Sequence, residues 1–256
     1  MLVLARVLIT VLACTSGNSG QSPADSTADT ATETPRGPLQ LRWPLLEREL
    51  FTQTVGVDHD PTVYDDTTVD GLICTNYDGR TFPWCYDGHL GSDYLLDGGF
   101  SQMDNGSATI VAAADGTVIE VVDGHYDRCH GEIGGVSCDG NDGIANDMIV
   151  EVTGSDGLTY RNMYWHLMNG SPMVAVGDVV TCGQPLGLVG SSGNSSQPHL
   201  HFEVQTADPA NPLVDGTVID PYAGVDSQPE TWWVDQGSAT GLPASDCPGQ
   251  SADTGA

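Results

Sequence analysis

The middle of the chain alternates short runs of β-branched, aliphatic and aromatic residues with glycine-bearing turns, a pattern that is typical of β-strands. Helical periodicity is scarce, and residues 44–50 form the best short helical candidate. The pairs Asp115-Gly116 and Asp156-Gly157 favour tight hairpin turns. We therefore expect a mainly β domain built on an antiparallel sheet. The predicted strands span residues 109–114, 116–122, 148–152, 158–166, 174–176, 179–181, 185–189 and 200–206.

The N-terminus has the pattern of an export signal of the lipoprotein type. Residues 1–13 place Arg6 before a short apolar run, and Cys14 follows directly after Ala13. The run is too short to span a membrane permanently, and an ordinary secretory signal is the alternative interpretation. We expect a signal peptide over 1–13 and a lipid on Cys14, which would anchor the mature protein to a membrane.

Two stretches carry almost no large apolar side chains. Residues 15–38 consist mainly of Ser, Thr, Asp, Gly and Pro, and residues 237–256 have a similar composition. Such segments bury too little surface to offset the entropy that is lost when a chain becomes ordered. We predict a flexible linker over 14–38, a C-terminal tail over 237–256, and the folded part of the protein between them.

The cysteines match a protein that is exported. The chain has 7 cysteines, and with Cys14 assigned to lipid the others can form three disulfides in an oxidising compartment. Several pairings are possible, about 15 for such a set. Short loops favour Cys74–Cys85 and Cys129–Cys138, which leaves Cys182–Cys247 to tie the tail to the domain. A zinc site built from cysteines has no support, because the chain contains no C-x-x-C spacing.

The charge balance narrows the classes of partner. The formal net charge is −28, and the chain contains no lysine. Phosphate backbones and anionic lipid headgroups repel such a surface. We therefore expect no nucleic acid partner, and any attachment to a membrane would need the lipid rather than surface charge.

Four of the 7 histidines lie in three short motifs. His199 and His201 flank one residue in a run with strand character, so their side chains share one face. His89 and Asp93 lie in an earlier H-x-G-x-D cluster, in which the glycine favours extended or looped backbone. Catalytic zinc is typically held by three protein ligands with an open position, and His89, Asp93 and His201 supply such a set. His166 and His199 then remain as imidazoles that are not metal ligands.

Four sequence blocks, in order, resemble the lysostaphin-type or LytM-like zinc endopeptidases of bacterial cell walls. The blocks are HLGSDYLL, ATIVAAADGTVIEV, GLTYRNMYWHLM and VAVGDVVTCGQPLGLVGSSGNSSQPHLHFEV, within residues 86–205. The segment 94–107 is longer than the expected link between the first two blocks, residues 124–145 form a less typical insertion, and Ser192 stands where a threonine is common. None of these departures removes a motif residue.

The resemblance implies that His89, Asp93 and His201 bind Zn²⁺, with His166 and His199 as the paired catalytic histidines. It also implies an antiparallel sheet folded into a groove, of the barrel-sandwich hybrid type, with the metal at the floor of the groove and disulfide-bearing loops around it.

The blocks also suggest how the folded part is divided. We expect the zinc endopeptidase domain over 86–236 and an N-terminal extension over 39–85, and the sequence leaves open whether the extension covers the site. The expected protein is a monomer that is exported to the cell envelope and acts on peptidoglycan.

The activity implied by the resemblance is hydrolysis of peptide bonds in peptidoglycan stems or cross-bridges. Bound zinc lowers the pKa of its water to about 7, and a histidine must accept the proton because no H-E-x-x-H helix supplies a glutamate. His166 or His199 can do so while the other stabilises the oxyanion, and the sequence does not assign the two roles. Two alternatives remain open: a non-catalytic peptidoglycan-binding or amidase-activating module, and a secreted protease that acts on proteins.

Overall fold

The computed structural model describes residues 35–62, 73–132, 135–207, 216–238 and 241–249. The predicted signal peptide, Cys14 and most of the predicted linker lie outside these ranges. Helix within the described residues is limited to α1 (Gly99–Met103) and a 3-10 turn at Arg48–Leu50. The same ranges contain no helix with the length and apolar character needed to cross a membrane.

Strands account for most of the regular structure, as the sequence pattern predicts. In chain order they are β1 (Arg36–Leu41), β2 (Phe51–Val55), β3 (Ser92–Leu96), β4 (Thr109–Val111), β5 (Gly116–Val122), β6 (His130–Glu132), β7 (Gly135–Ser137), β8 (Asp147–Thr153), β9 (Thr159–Trp165), β10 (Val179–Val180), β11 (Pro185–Leu188), β12 (His199–Thr206), β13 (Val218–Ile219) and β14 (Thr231–Trp233).

One large sheet organises the domain. It has eight strands in the order β10-β5-β8-β9-β12-β3-β2, with β13 added on β12, and every pairing in it is antiparallel. Three small sheets pair β1 with β14, β11 with β4, and β6 with β7. The expected fold class, a mainly β protein with antiparallel sheets and disulfide-bearing loops, is confirmed.

The two faces of the large sheet differ in chemistry because side chains alternate along each strand. On β12, Leu200, Phe202 and Val204 are completely buried in the core. The intervening residues of that strand, His199, His201, Glu203 and Gln205, are also buried but polar. The sheet therefore has one face that builds the core and another that gathers polar side chains.

The N-terminal segment is part of this core. Trp43 is fully buried and meets Phe51 and Tyr94 edge to face, with ring centroids 5.5 and 5.6 Å away. β2 continues the large sheet next to β3. The segment predicted as an extension thus supplies a strand beside the strand that carries Asp93.

The disulfides have the predicted connectivity: Cys74–Cys85, Cys129–Cys138 and Cys182–Cys247. The last of these joins the C-terminal region to the domain, close to the chain segment after β10. All three bonds join cysteines in loops, so they restrain loop segments that are not hydrogen-bonded into the large sheet.

Several local predictions were wrong. Residues 174–176 form no strand, because the Asp178 carboxylate accepts the Ala175 N–H and closes a turn there. Only Arg48–Leu50 of the predicted helix 44–50 is helical, since Leu45 instead bridges to Ile110. The sequence reading also missed α1.

One predicted segment boundary and one predicted hairpin turn also differ from the structure. β1 begins at Arg36, so residues 36–38 lie in a strand within the segment predicted as linker. Asp156-Gly157 does connect the paired strands β8 and β9, whereas Asp115-Gly116 joins β4 and β5, which pair with other strands. A turn dipeptide shows where the chain reverses but not which strand it will pair with.

Candidate active site

The predicted ligand residues converge at one end of the polar face. Asp93 on β3 lies directly opposite His201 on β12, so the two side chains share a face of the sheet. Asp93 Oδ1 is 2.8 Å from His201 Nδ1, and His89, in the loop before β3, brings Nε2 to 3.1 Å from each of these atoms. All three residues are buried. They are the group that the described residues offer for a metal ion.

The glycine of the H-x-G-x-D cluster makes this approach possible. A Cβ at Gly91 would lie 2.6 Å from Nε2 of His201 and 2.8 Å from the Phe202 carbonyl oxygen, closer than real atoms approach. Any larger residue would push the His89 loop away from β12.

The second ring nitrogens of the two ligand histidines determine the chemistry of this group. His89 Nδ1 lies 2.7 Å from the carbonyl oxygen of Gly56, which can only accept a hydrogen bond. His201 Nε2 faces the Glu203 carboxylate at 3.4 Å. With protons on these outer nitrogens, His89 Nε2, His201 Nδ1 and Asp93 Oδ1 are three acceptors that point at one another.

Three acceptors this close repel one another unless a cation lies among them, so the group fits a bound metal ion. Two imidazole nitrogens and one carboxylate oxygen are a donor set that suits zinc, and three protein ligands leave a position open. The residues present therefore match the implied cofactor.

His166 and His199 lie beside this group and are anchored in the same manner. His166 follows the last residue of β9, has a positive φ of 68°, and places Nδ1 2.6 Å from the Ser192 carbonyl oxygen. His199 Nδ1 lies 2.7 Å from the Gln197 carbonyl oxygen. The two rings are 4.5 Å apart between centroids. In each ring the carbonyl holds the proton on Nδ1, which leaves Nε2 without a proton and able to accept one; Nε2 of His199 lies 3.6 Å from Asp93 Oδ1.

The backbone of His166 has a conformation that side chains rarely adopt. The strain is held by the surrounding loop, because Gly190 N–H donates to the His166 carbonyl at 3.0 Å. A Cβ at Gly190 would lie 2.5 Å from the Met168 backbone nitrogen, so the loop can approach only with glycine there.

The disulfide-bearing insertion braces that loop. Cys129 N–H donates to the Ser191 carbonyl at 2.9 Å, and Ser191 Oγ returns a hydrogen bond to the Cys129 carbonyl at 2.6 Å. Asn146 N–H donates to Ser192 Oγ at 2.8 Å. A Cβ at Gly193 would lie 2.8 Å from Ala145. The insertion 124–145 is therefore packed against the loop whose carbonyl orients His166.

Burial and charge shift the protonation of these groups in different directions. Burial lowers the pKa of His166 well below its ordinary value, and the neighbouring imidazoles lower it further. Burial also lowers the pKa of His199, although the Asp93 charge opposes this effect. Both imidazoles are therefore neutral near pH 7 and are able to accept a proton.

In Asp93 and His201, the two ligands in direct contact, interactions with neighbouring groups outweigh the effect of burial on the pKa. Burial alone would raise the pKa of Asp93, but the imidazoles of His89 and His199 hold it well below its usual range. Burial alone would lower the pKa of His201, but hydrogen bonds to Asp93 and Glu203 outweigh this effect and raise it to about 9. With no metal bound, His201 therefore carries a proton on Nδ1 and donates it to the ionised Asp93 at 2.8 Å, and a bound metal ion would take the place of that proton.

A cleft opens over the site. It has a volume of about 390 Å³ and is lined on one side by Tyr86 and Leu90 and on the other by Gly143, Ala145 and Asn194. The ring of Tyr86 stacks on His89, 4.2 Å between centroids. Gly88, His89, Trp165, His166, His201 and Glu203 complete its lining. The segment 39–85 contacts the site through the Gly56 carbonyl oxygen, and none of its described residues lines the cleft.

Sequence reasoning missed some of the supporting groups. Glu203 could have been found, because it lies two residues after His201 on the same strand face. The carbonyls of Gly56 and Ser192 carry no signal in the sequence, since every residue has a carbonyl. Tyr86 lies three residues before His89, in a loop whose path the sequence does not predict.

His59, His125 and Tyr164 lie away from the metal-ligand group, whereas Trp165 lines the cleft. His59 pairs with buried Asp220 at 2.8 Å, and His125 pairs with Asp142 at 3.0 Å, both outside the His89, Asp93 and His201 group. Tyr164 is fully buried and accepts the Ala113 N–H at 2.9 Å, so it belongs to the core.

Comparison with known proteins gives a match to one peptidase family. Residues 97–221 match the model of peptidase family M23, a segment that contains His166, His199 and His201 and begins after His89 and Asp93. A curated relative, the glycyl-glycine endopeptidase ALE-1 of Staphylococcus capitis, is 32% identical over 133 residues. That alignment covers 52% of this chain but only 28% of the relative, so the chain matches less than a third of its length.

Solved structures give matches of the same kind. The catalytic domain of lysostaphin from Staphylococcus simulans is 27% identical, with 52% of this chain and 76% of that chain covered and a TM-score of 0.33. A zinc containing peptidase from Vibrio cholerae is 24% identical, with 70% of this chain and 39% of that chain covered and a TM-score of 0.38.

Proposed function

We propose that the chain is a zinc-dependent endopeptidase, since residues 97–221 match peptidase family M23 and the chain is homologous to the LytM and lysostaphin-type peptidoglycan endopeptidases. Its proposed substrate is the peptide part of peptidoglycan, in stems or cross-bridges. The observation that carries the proposal is the convergence of three acceptor atoms, on His89, Asp93 and His201, beside two neutral imidazoles and next to an open cleft that His89, His166 and His201 line.

His89, Asp93 and His201 would hold the ion through Nε2, Oδ1 and Nδ1. When bound, zinc acts as a Lewis acid that lowers the pKa of water and polarises a carbonyl group. The protein fixes the two ligand imidazoles through Gly56 and Glu203, and a ligand fixed in this way need not reorganise when the substrate arrives.

His166 and His199 would handle the proton. Each keeps its Nδ1 proton on a backbone carbonyl, so each presents Nε2 as the reactive nitrogen. One imidazole accepts the proton of the attacking water and later passes that same proton to the leaving amine. The other, when it has taken up a proton from solvent on Nε2, donates a hydrogen bond to the oxyanion. Because the rings are only 4.5 Å apart, both can act on one peptide bond.

The cellular setting of the proposal follows from the cysteines and the N-terminus. The chain has three disulfides, and disulfides form in an oxidising compartment. The protein would therefore meet peptidoglycan outside the cytoplasm. A signal peptide over 1–13, a lipid on Cys14 and a monomeric state complete the proposed picture of a protein that works at the cell envelope.

The direct test is hydrolysis of purified peptidoglycan by the full chain with its disulfides formed. The reaction is run with and without a zinc chelator, and mass spectrometry identifies new peptide ends. We expect chelator-sensitive release that returns when zinc is restored, and no release by the His199→Ala variant. Cleavage of an unfolded protein but not of peptidoglycan would show that the substrate is protein and not peptidoglycan. Binding to peptidoglycan without zinc and without cleavage would show that the chain is a binding module and not an enzyme.

A further inference from the structure

β12 continues past the metal ligand His201 with two more polar side chains on the same face, Glu203 and Gln205. Each is only 4% exposed. A carboxylate buried to this extent costs free energy unless charge or hydrogen bonds compensate it. Its surroundings therefore show what it is positioned to do.

The surroundings form one line of contacts that ends at His201. Gly216 N–H donates to Gln205 Oε1 at 2.8 Å, and Gln205 Nε2 donates to Glu203 Oε1 at 2.6 Å. The other carboxylate oxygen, Oε2, faces His201 Nε2 at 3.4 Å. Glu203 is thus held by Gln205 on one side and directed at the imidazole on the other.

His201 consequently lies between two carboxylates with different tasks. Its Nδ1 faces Asp93, which belongs to the proposed metal centre, and its Nε2 faces Glu203. A carboxylate on the outer nitrogen of a ligand histidine keeps the proton on that nitrogen and increases the basicity of the other. For His201 that leaves Nδ1 as the metal-binding atom.

We propose that Glu203 is a positioning residue for the metal centre: it fixes His201 in the Nε2–H tautomer with Nδ1 aimed at the ion, and Gln205 fixes Glu203. This inference rests on the proposed zinc function. Glu203 reaches the lining of the cleft but is only 4% exposed, so it acts through His201 and not on the substrate, and its removal weakens metal binding before it affects any later step.

The experiment measures zinc affinity by chelator competition for the wild-type chain and for Glu203→Ala, Glu203→Gln and Gln205→Ala. Loss of such a carboxylate typically weakens metal binding about 10- to 100-fold, and we expect Glu203→Ala in this range. Glu203→Gln retains an acceptor oxygen and recovers part of the affinity. Gln205→Ala leaves Glu203 in place and weakens binding least. Glu151→Gln, which removes a carboxylate from β8 of the same sheet, is the control and keeps wild-type affinity.

A second readout separates positioning from a general loss of structure. Nitrogen-15 NMR of the metal-free chain, at a pH where His201 is neutral, reports which ring nitrogen of His201 carries the proton. Glu203→Ala should lose the fixed Nε2–H form while His166 retains its own tautomer. Wild-type zinc affinity and an unchanged His201 tautomer in Glu203→Ala would overturn the inference and leave the proposed function standing. A wild-type chain that binds no zinc would overturn both, and a raised KM with unchanged zinc affinity would make Glu203 a substrate contact instead.

Discussion

The two halves of the site are supported by different parts of the molecule. The acceptor group of His89, Asp93 and His201 rests on the large sheet, with Asp93 and His201 on paired strands. The histidine pair rests on loop carbonyls, those of Ser192 and Gln197. The difference indicates that metal binding and proton transfer depend on separate supports, so that either can be removed while the other remains.

The largest effect should come from the metal side. His201→Ala removes one of three ligand atoms, and we expect zinc affinity to fall more than about 100-fold, beyond the loss typical of a supporting carboxylate. The rate of peptidoglycan hydrolysis should fall together with the zinc affinity. Metal content after dialysis, measured by mass spectrometry, checks the prediction, and His125→Ala is the control because that histidine pairs with Asp142 away from the site. Normal zinc content in His201→Ala would show that the ligand set is wrong.

The next largest effect should fall on turnover alone. His166→Ala and His199→Ala remove the groups that move protons, and general acid–base catalysis contributes about 10²- to 10⁴-fold to the rate. We expect kcat to drop by that factor while the chain still binds one zinc ion. If either variant lost its zinc together with its activity, the separation of the two halves would fail.

Part of this division could be predicted from the sequence. The two-residue spacing of His199 and His201 predicts a shared strand face, and the same reasoning applied two residues further along predicts Glu203. The register that places Asp93 opposite His201 depends on a pairing between distant strands, which no local pattern specifies. The family resemblance predicted that Asp93 and His201 belong to one metal site, and the structure shows the two side chains in contact.

The supports themselves could not be predicted. His166 is oriented by the Ser192 carbonyl and His89 by the Gly56 carbonyl, and backbone groups look alike in a sequence. The predicted strand 174–176 failed for a similar reason, because one hydrogen bond from Ala175 N–H to the Asp178 carboxylate turns the chain.

The two short disulfide loops sharpen the comparison. Cys129–Cys138 lies in the insertion that contacts the loop of Ser192. Cys74–Cys85 lies in the segment that packs near His89, and in that region the Asp58 N–H donates to the His89 carbonyl. Replacing both cysteines of the first pair by serine should lower kcat about tenfold, a loss of about 1.4 kcal/mol. Replacing both cysteines of the second pair should weaken zinc binding more than it lowers kcat.

Each of these variants also removes a cross-link, which typically stabilises a protein by about 2–4 kcal/mol. Thermal unfolding of both variants therefore serves as the control, and activity is compared at a temperature where both remain folded. Equal effects of the two replacements on zinc binding and on kcat would contradict the assignment of each loop to one half of the site.

The smallest effect concerns a carboxylate outside the metal centre. Asp147 lies opposite Trp165 in the row of side chains that leads to His201, and burial, with the charge of Glu120, raises its pKa to about 7. A raised folded-state pKa means that the folded protein is most stable while Asp147 is protonated. The free energy of unfolding therefore decreases as the pH rises from about 4 through 7, because Asp147 loses its proton in the folded state less readily than in the unfolded state.

Asp147→Asn removes this dependence. We expect the variant to be more stable than the wild type at pH 8 by about 1 kcal/mol, a modest value because the side chain is partly screened by solvent. The difference should vanish below about pH 3, where the wild-type carboxyl is neutral in both states. Urea unfolding at about pH 3 and pH 8 checks it. A stability difference that does not change with pH would point to packing instead of charge.

The central claim is that three residues hold one zinc ion and two histidines beside it remain free. X-ray diffraction from crystals of the zinc-loaded chain, recorded on both sides of the zinc absorption edge, tests it directly. We expect one anomalous peak within about 2.0–2.2 Å of His89 Nε2, Asp93 Oδ1 and His201 Nδ1, with His166 and His199 outside bonding distance. A peak bonded to His166 or His199, or no peak among the three ligands, would contradict the account.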